Sequence, residues 1–167
     1  MDVPATREFL RTVRPLADFA DGDLTVLAGR LRERRLKTGH VLVTEGERGT
    51  EMYFVRHGAL VIVKNVGDGV EQVLARVGAG EFVGEMALFD RRPRSATIRA
   101  ESDTDLLVLN RPAVQALINT SPRAAAAFLR ALSEEFITRL RRSNLLVAEL
   151  TCAVLEATGF ELERWQR

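Results

Sequence analysis

The sequence predicts an α+β fold in which a small antiparallel β-barrel or roll lies between N-terminal helices and a long C-terminal helix. Apolar residues near the N-terminus recur every three or four positions, whereas from Gly39 the apolar period changes to two. After Pro112 the helical period returns. The predicted regions are N-terminal helices (1–38), a β-barrel (39–111), C-terminal helices (112–158) and a tail expected to fold back as a lid or to be mobile (159–167).

Two helical segments are predicted before the barrel. Residues 5–20 fit one short amphipathic helix or two, interrupted at Pro15. Their apolar stripe consists of Phe9, Leu10, Val13, Leu16 and Phe19. The next helix is predicted to begin at Asp21 or Asp23 and to continue through Leu36. A solvated helix face explains its basic residues better than a nucleic-acid-binding patch does: Arg30, Arg32, Arg34 and Arg35.

Six short runs in the central region have the composition and alternation of strands. They are rich in Val, Ile, Leu or aromatic residues, and glycine-containing turns separate several of them. The runs are His40–Glu45, Met52–His57, Leu60–Asn65, Glu71–Val77, Thr97–Ala100 and Asp105–Leu109. Short strands at this spacing are typical of a small antiparallel barrel or roll.

The C-terminal region is predicted to hold two helices. Pro112 suits the first turn of a helix that runs through Asn119, and Ser121-Pro122 begins a longer one. The long helix carries a mostly apolar stripe at coiled-coil spacing, formed by Phe136, Leu140, Ser143, Val147, Leu150, Val154 and Ala157. A helix of this length extends beyond a small barrel, so we expect it to pair with a second copy and form a homodimer.

Composition excludes several classes of protein. The formal net charge of +1 gives no bulk attraction to nucleic acid or to acidic membranes. The single cysteine, Cys152, rules out an internal disulfide framework, and no apolar run is long enough for a membrane span. His40 and His57 lack a third ligand at metal spacing. No motif resembles a hydrolase nucleophile with its general base. We therefore expect a cytoplasmic protein that is not an enzyme and has no metal site or catalytic residue.

The stretch from Phe82 to Thr97 has the chemistry of an anion site. Gly84 permits close approach of a ligand to the backbone, and the next five residues favour a helical turn whose first N–H groups can hold a phosphate. Arg94 follows Pro93, which stiffens the loop, and its guanidinium can meet two phosphate oxygens. Glu85 would repel a phosphate, so we expect it to accept a hydrogen bond from a sugar hydroxyl.

Two other interpretations of this stretch are weaker. Glu85 and Arg94 could form a surface salt bridge, which is worth about 0–1 kcal/mol. The glycines from Gly78 to Gly84 resemble a dinucleotide-binding fingerprint, but the last one comes one residue late and no strand–helix–strand unit surrounds them.

Residues 82–97 resemble the phosphate-binding cassette of cyclic-nucleotide-binding domains, whose pattern is roughly F-x-G-E-(L/M)-A-L followed by P-R-(S/T/A)-A-T. Val83 stands where many members have glycine or an aromatic residue. The resemblance extends over about residues 9–145, including Gly46-Glu47, Met52–Val55 and Gly58. It implies a jelly-roll β-barrel that binds a cyclic nucleotide.

The resemblance also implies roles for individual residues. Glu85 would accept from the ribose 2′-OH and Arg94 would pair with the exocyclic phosphate oxygens. Further donors and neighbours of the phosphate would be Gly84, Met86, Ala87, Ser95 and Ala96. Apolar walls for the base would come from Ile62, Leu74 and Val83, and the alternative for these three is that they are ordinary barrel core. On the long helix, Ser143 and Asn144 would contact the base or, alternatively, set the coiled-coil register.

Cyclic AMP is expected in preference to cyclic GMP, because Ser95 after Arg94 resembles the bacterial cyclic-AMP sensors. The chain resembles the sensory half of catabolite-activator-like regulators and ends where their helix-turn-helix would begin, so direct DNA binding is not expected. The resemblance leaves two alternatives, a dimerisation or docking module that ignores nucleotide and a domain excised from a larger regulator, channel or enzyme. The sequence gives no indication of the effector partner.

Overall fold

The computed structural model describes residues 2–158 and begins with two short helices. Helix α1 is Val3–Thr12, and Asp2 caps it by accepting a hydrogen bond from the Ala5 N–H at 3.3 Å. A 3₁₀ turn at Arg14–Leu16 contains Pro15 and separates α1 from α2, Asp21–Ala28. The predicted interruption at Pro15 is therefore confirmed.

The prediction that the second helix continues through Leu36 is wrong. Helix α2 ends at Ala28, and Arg32–Leu36 forms strand β1, which pairs antiparallel with the last strand of the barrel. The register joins Arg34 to Leu106 and Leu36 to Thr104. Arg32–Leu36 pairs with the edge of β8, and this tertiary pairing overrides the weak local helix propensity of the segment.

The barrel consists of two four-stranded sheets in which every pairing is antiparallel. One sheet has the order β1-β8-β3-β6 and the other β2-β7-β4-β5. After β1 the strands are β2 (Val41–Val43), β3 (Glu51–His57), β4 (Ala59–Asn65), β5 (Glu71–Gly78), β6 (Phe82–Val83), β7 (Thr97–Ala100) and β8 (Thr104–Asn110). The six strand runs found in the sequence match β2, β3, β4, β5, β7 and β8 within one or two residues. The α+β, antiparallel jelly-roll architecture is thus confirmed.

Both sheets contribute side chains to one apolar core. Its buried members are Leu36, Leu42, Val43, Tyr53, Val55, Leu60, Val77, Val83, Ile98, Ala100, Leu106 and Val108. Strand β6 was not predicted from the sequence because it has only two residues. It pairs with β3 through Val83 and Tyr53 and thereby fixes the start of the 82–97 stretch against the sheet.

Three further helices come after β6 in the chain, and the last of them is long. Helix α3 is the single turn Met86–Phe89, α4 is Arg111–Thr120 and α5 is Pro122–Thr158. Asn110 caps α4 by accepting from the Ala113 N–H at 2.9 Å. The predicted starts at Pro112 and Pro122 agree with the structure to within one residue.

The described chain divides into two units, with the boundary between Leu129 and Arg130. The first unit holds the barrel, the N-terminal helices, α4 and the beginning of α5. The second is the remainder of α5, which presents exposed apolar side chains at Ile137, Leu140, Leu145, Leu146, Val147, Leu150 and Val154. Pairing of this helix with a second copy stays a prediction. The tail at 159–167 lies outside the described residues.

Candidate functional site

The 82–97 stretch leaves the sheet at Gly84, whose backbone only glycine adopts easily. Its φ is +81°, in the left-handed region. A Cβ at this position would also lie 2.9 Å from Nη1 of Arg94 and 3.1 Å from the carbonyl oxygen of Glu51. The glycine therefore both turns the chain into α3 and makes space for the Arg94 side chain.

Arg94 is held beside this turn by two backbone carbonyls. Nη1 donates to the Gly84 oxygen at 3.2 Å and Nη2 donates to the Glu51 oxygen at 2.9 Å. The guanidinium carbon lies 5.8 Å from the centre of the Tyr53 ring, a cation–π distance. Both acceptors are neutral oxygens, and Nε is buried without a hydrogen-bond partner. A fixed cation with an unsatisfied donor fits a ligand phosphate.

A loop between β2 and β3 holds the Arg94 backbone. The Arg94 N–H donates to the Glu47 oxygen at 2.8 Å, and the Gly46 N–H donates to the Arg94 oxygen at 2.9 Å. Gly49 of the same loop packs against the guanidinium, because a Cβ there would lie 2.6 Å from Nε and Nη2. Gly49 was not predicted from the sequence as part of the site. The glycine three residues after Gly46 was the available signal, but its partner is 45 positions further along the chain.

Glu85 precedes α3 and is buried, with 6% of its surface exposed. A carboxylate in such a position must be met by donors. The Ala87 N–H already donates to the Gly84 oxygen at 3.2 Å, so it is engaged within the cassette itself. Met86 is exposed and Ala87 is buried.

The end of the cassette is joined to strand β4. The backbone oxygen of Ser95 accepts a hydrogen bond from Lys64 Nζ at 2.8 Å. The Ser95 side chain is exposed, whereas Ala96 is buried. Thr97 begins β7, and its hydroxyl accepts from the Glu45 N–H at 2.9 Å. The cassette is therefore attached to the barrel at both ends.

The three residues predicted to wall the base lie in different surroundings. Val83 is part of the barrel core, and Ile62 packs against that core while partly exposed. Leu74 is 52% exposed. The register of β4 and β5 passes from Ile62–Ala75 to Val63–Val73, so Leu74 is the extra residue of a β-bulge. The role of all three toward a base stays a prediction.

Ser143 and Asn144 belong to the second unit, on the exposed part of α5. The cassette, with its hydrogen bond from Arg94 to the Gly84 oxygen, belongs to the first unit. Contact of Ser143 or Asn144 with a ligand base is therefore a prediction.

Arg111, the first residue of α4, makes contacts with the cassette that were not predicted from the sequence. Its Nη2 donates to the Ala87 oxygen at 2.6 Å and to the Asp90 oxygen. Its backbone N–H donates to the Thr50 oxygen at 2.9 Å, and its Nε is buried without a partner. One side chain thus joins the cassette helix to the start of α4. An arginine directly before the helix-starting Pro112 was the signal available in the sequence.

Tyr53 supports the Arg94 site from the core. Its hydroxyl donates to Glu51 Oε2 at 3.0 Å, and Glu51 forms an ion pair with Arg32 at 3.6 Å. Burial, followed by the charge of Glu51, raises the pKa of Tyr53 from 10.0 to about 12. The phenol is therefore a neutral donor at physiological pH, and its ring face remains available to Arg94.

The match to a family model decides what kind of domain this is. Residues 33–121, which contain the barrel, the cassette and α4, match the model of the cyclic nucleotide-binding domain. The chain belongs to the cyclic nucleotide-binding domain family. The resemblance found in the sequence is therefore confirmed.

Individual relatives agree with this assignment. The chain is 28% identical over 127 residues to a CRP-like cAMP-activated global transcriptional regulator of Mycobacterium tuberculosis, covering 76% of this chain and 55% of that protein. A cyclic nucleotide-binding domain of Methylobacillus flagellatus superposes with a TM-score of 0.78 at 26% identity, covering 88% of this chain and 83% of that one. The regulatory domain of Toxoplasma gondii PKA, crystallised with cAMP, superposes with a TM-score of 0.61 at 30% identity, covering 70% and 45%.

The chain spans about half or less of the length of the curated relatives that it matches. Within residues 2–158, no helix combines the length and the apolar character needed to cross a bilayer. In the same residues, no group of three or more His, Cys, Asp or Glu side chains is arranged to hold a metal ion.

Proposed function

We propose that this domain is a sensor that binds a cyclic nucleotide, cyclic AMP in preference to cyclic GMP, and responds through its C-terminal helix. The observation that carries the proposal is the Arg94 guanidinium, which is fixed by two neutral carbonyl oxygens and has a buried, unpartnered Nε. A phosphate that accepts two hydrogen bonds from this guanidinium would supply the missing negative charge. The domain makes and breaks no bond in this role.

Different cassette residues contact different groups of the ligand in this proposal. Arg94 pairs with the exocyclic phosphate oxygens, and Glu85 accepts from the ribose 2′-OH. Backbone donors come from the turn around Gly84 and Met86 and from the peptide units at Ser95 and Ala96. The Ala87 N–H contributes only if its bond to the Gly84 oxygen is shared or broken, which is one way for the ligand to change the cassette.

The base lies against the barrel in this proposal. Ile62 and Val83 supply apolar surface from β4 and β6, and Leu74 on the bulge of β5 adds to it. Ser143 and Asn144 on α5 supply polar contacts to the base edge. The preference for cyclic AMP rests on Ser95 after Arg94, and on two relatives whose names or titles include cAMP.

Coupling to the helices runs through Arg111. Its hydrogen bonds to the carbonyl oxygens of Ala87 and Asp90 make the cassette and the start of α4 move together. Movement of the cassette on the phosphate therefore shifts residues 111–122, which act as a hinge in this proposal. A ligand can select one pose of α5 only if it binds the two poses with different affinity. Pairing of two α5 helices along the apolar stripe would transmit this shift between subunits in the cytoplasm.

Thermal unfolding with and without cyclic AMP, and separately with cyclic GMP, tests the proposal. Ligand at about 100 times its dissociation constant stabilises a protein by about 2.7 kcal/mol, which is readily measured. Arg94→Ala should abolish the shift. The matched control is Arg92→Ala, since Arg92 is exposed two residues earlier on the same loop. Equal shifts in wild type and Arg94→Ala would contradict the assigned site.

The second candidate is a dimerisation or docking module that does not respond to nucleotide. The exposed apolar residues of α5 favour it, because they offer a surface for another helix whether or not the cassette is occupied. Under this alternative neither nucleotide changes the thermal unfolding of the wild-type protein.

A further inference from the structure

One lysine joins three segments of the barrel at the end of the cassette. Lys64 lies on β4, and its Nζ donates to Glu45 Oε1 at 2.6 Å and to the backbone oxygen of Ser95 at 2.8 Å. Glu45 follows β2, and Ser95 directly follows Arg94. The Lys64 side chain is 43% exposed, so these two bonds rather than burial determine where its ammonium lies.

The carboxylate that holds Lys64 is itself fixed. Glu45 Oε2 accepts from the Asn65 N–H at 3.3 Å, and the Glu45 N–H donates to the Thr97 hydroxyl at 2.9 Å. The hydrogen bond from Lys64, followed by that from Asn65, holds the pKa of Glu45 below its ordinary value. The Glu45 carboxylate is therefore charged at neutral pH, and Glu45 is tied to β4 through Asn65 and to β7 through Thr97.

These bonds fix the orientation of a peptide unit in the anion site. A trans peptide is planar, so its carbonyl oxygen and its N–H point in opposite directions. With the Ser95 oxygen directed at Lys64 Nζ, the Ala96 N–H points away from that ammonium. The preceding residue, Arg94, is already fixed by the bonds from its N–H to Glu47 and from Gly46 to its oxygen. Consecutive peptide units are thus oriented by hydrogen bonds within the protein itself.

We propose that Lys64, held by Glu45, is a positioning residue that aims the Ser95–Ala96 peptide N–H at the phosphate of the ligand. The inference rests on the proposed nucleotide site and adds a group outside the cassette to it. The ammonium also polarises the Ser95 carbonyl, and hydrogen bonds in a chain strengthen one another, so the Ala96 N–H becomes a better donor. No direct contact between Lys64 and the ligand is needed.

A simpler role for Lys64 would be bulk attraction of the anion. A substitution of Glu45 distinguishes this role from positioning of the peptide. If the charge of Lys64 acts only through space, removing the negative charge of Glu45 raises the local positive potential and tightens anion binding. If Lys64 acts by position, the loss of its ionic anchor loosens the Ser95 carbonyl and weakens binding. Glu45→Gln therefore gives opposite results under the two mechanisms.

The experiment is calorimetric titration of cyclic AMP into the wild-type chain, Lys64→Met, Glu45→Gln and the control Lys37→Met. Lys37 is the other lysine of the chain, and it forms a similar surface pair, with Nζ 2.7 Å from Asp103 Oδ2, outside the cassette. We expect about tenfold weaker binding by Lys64→Met, as for the loss of one charge-assisted hydrogen bond that orients a ligand donor. Glu45→Gln should also bind more weakly, and Lys37→Met should match wild type.

Each outcome decides the inference. Wild-type affinity in Lys64→Met, or wild-type or tighter affinity in Glu45→Gln, overturns the positioning role while the nucleotide site itself stands. Absence of cyclic AMP binding by the wild-type chain overturns the proposed function and this inference together. Unfolding of each variant without ligand is measured in parallel, and if Lys64→Met does not fold, Glu45→Gln alone distinguishes position from attraction.

Discussion

Gly49 and Arg94 lie in direct contact although they are 45 positions apart in the chain. A Cβ added to Gly49 would come within 2.6 Å of Nε and Nη2 of Arg94 and within 2.8 Å of its Cζ. The atoms that block the position are the charged end of the arginine, which two backbone carbonyls hold in place. Any side chain at Gly49 must therefore displace the group that we assign to the phosphate.

Gly49→Ala should consequently weaken binding of cyclic AMP while the barrel remains folded. We expect a loss of about 1.5–3 kcal/mol of binding free energy, the usual contribution of a hydrogen bond to a charged group. Gly22→Ala is the control, because a Cβ at Gly22 meets nothing within 4 Å. Calorimetric titration measures both, and equal affinities would mean that Arg94 does not contact the ligand from its present position.

Gly84→Ala should destabilise the fold and weaken binding together. The substitution places a Cβ at a φ of +81°, which costs about 1–3 kcal/mol, and it also pushes on Arg94 Nη1 at 2.9 Å. Gly39→Ala separates the two effects, since Gly39 has a φ of +79° with nothing within 4 Å of the added atom. The midpoint temperature of thermal unfolding should fall in both variants, whereas affinity for cyclic AMP should fall in Gly84→Ala alone. A binding defect in Gly39→Ala would contradict this division.

Tyr53 is the only tyrosine, so its ionisation can be followed directly by tyrosinate absorbance. Burial and the Glu51 charge raise its pKa to about 12, so the folded state favours the neutral phenol. Its contribution to stability is fully present below pH 10.0, the ordinary pKa, and is lost as pH rises through the folded value of about 12. Glu51→Gln should lower the folded pKa. Tyrosinate absorbance near pH 10 in folded wild-type protein would contradict the burial of the hydroxyl.

The sequence contained the local parts of this structure. The cassette could be predicted because Gly84, Glu85 and Arg94 lie within one short segment with a recognisable spacing. The starts of α4 and α5 could be predicted because proline occupies the first turn of each helix.

The parts that the sequence did not reveal depend on distant partners. Arg32–Leu36 becomes a strand only because β8, about 70 residues away, offers a pairing edge. The spacing of five between Leu31 and Leu36 was a weak sign against a continuous helix. Gly49, Lys64 and Arg111 lie outside the cassette, and their roles depend on where the fold brings the cassette backbone.

The apolar stripe of α5 should mediate self-association. Val147 and Leu150 are 60% and 58% exposed near its middle. Val147→Asp introduces a charge that an apolar helix pair cannot accommodate, so it should convert a dimer into a monomer in sedimentation. Ala148→Asp is the matched control, because Ala148 is exposed one position outside the stripe. Identical sedimentation of wild type and Val147→Asp would contradict self-association through the apolar stripe.

Arg111→Met should separate ligand binding from the response of α5. The substitution keeps an unbranched side chain but removes the hydrogen bonds to the Ala87 and Asp90 oxygens, so the cassette and α4 no longer move as one. A fluorophore on Cys152, the single cysteine and an exposed residue of α5, reports the response. Cyclic AMP should change its signal in wild type and much less in Arg111→Met, which still binds because Arg94 is intact.

Arg99→Met provides the comparison for that variant. Arg99 forms an ordinary surface pair with Glu71 at 2.8 Å and touches neither the cassette backbone nor α4 in the described hydrogen bonds. Its Cys152 signal should therefore follow wild type. A full signal in Arg111→Met at saturating cyclic AMP would mean that the cassette reaches α5 by another route, since the two carbonyl bonds would then carry no part of the coupling.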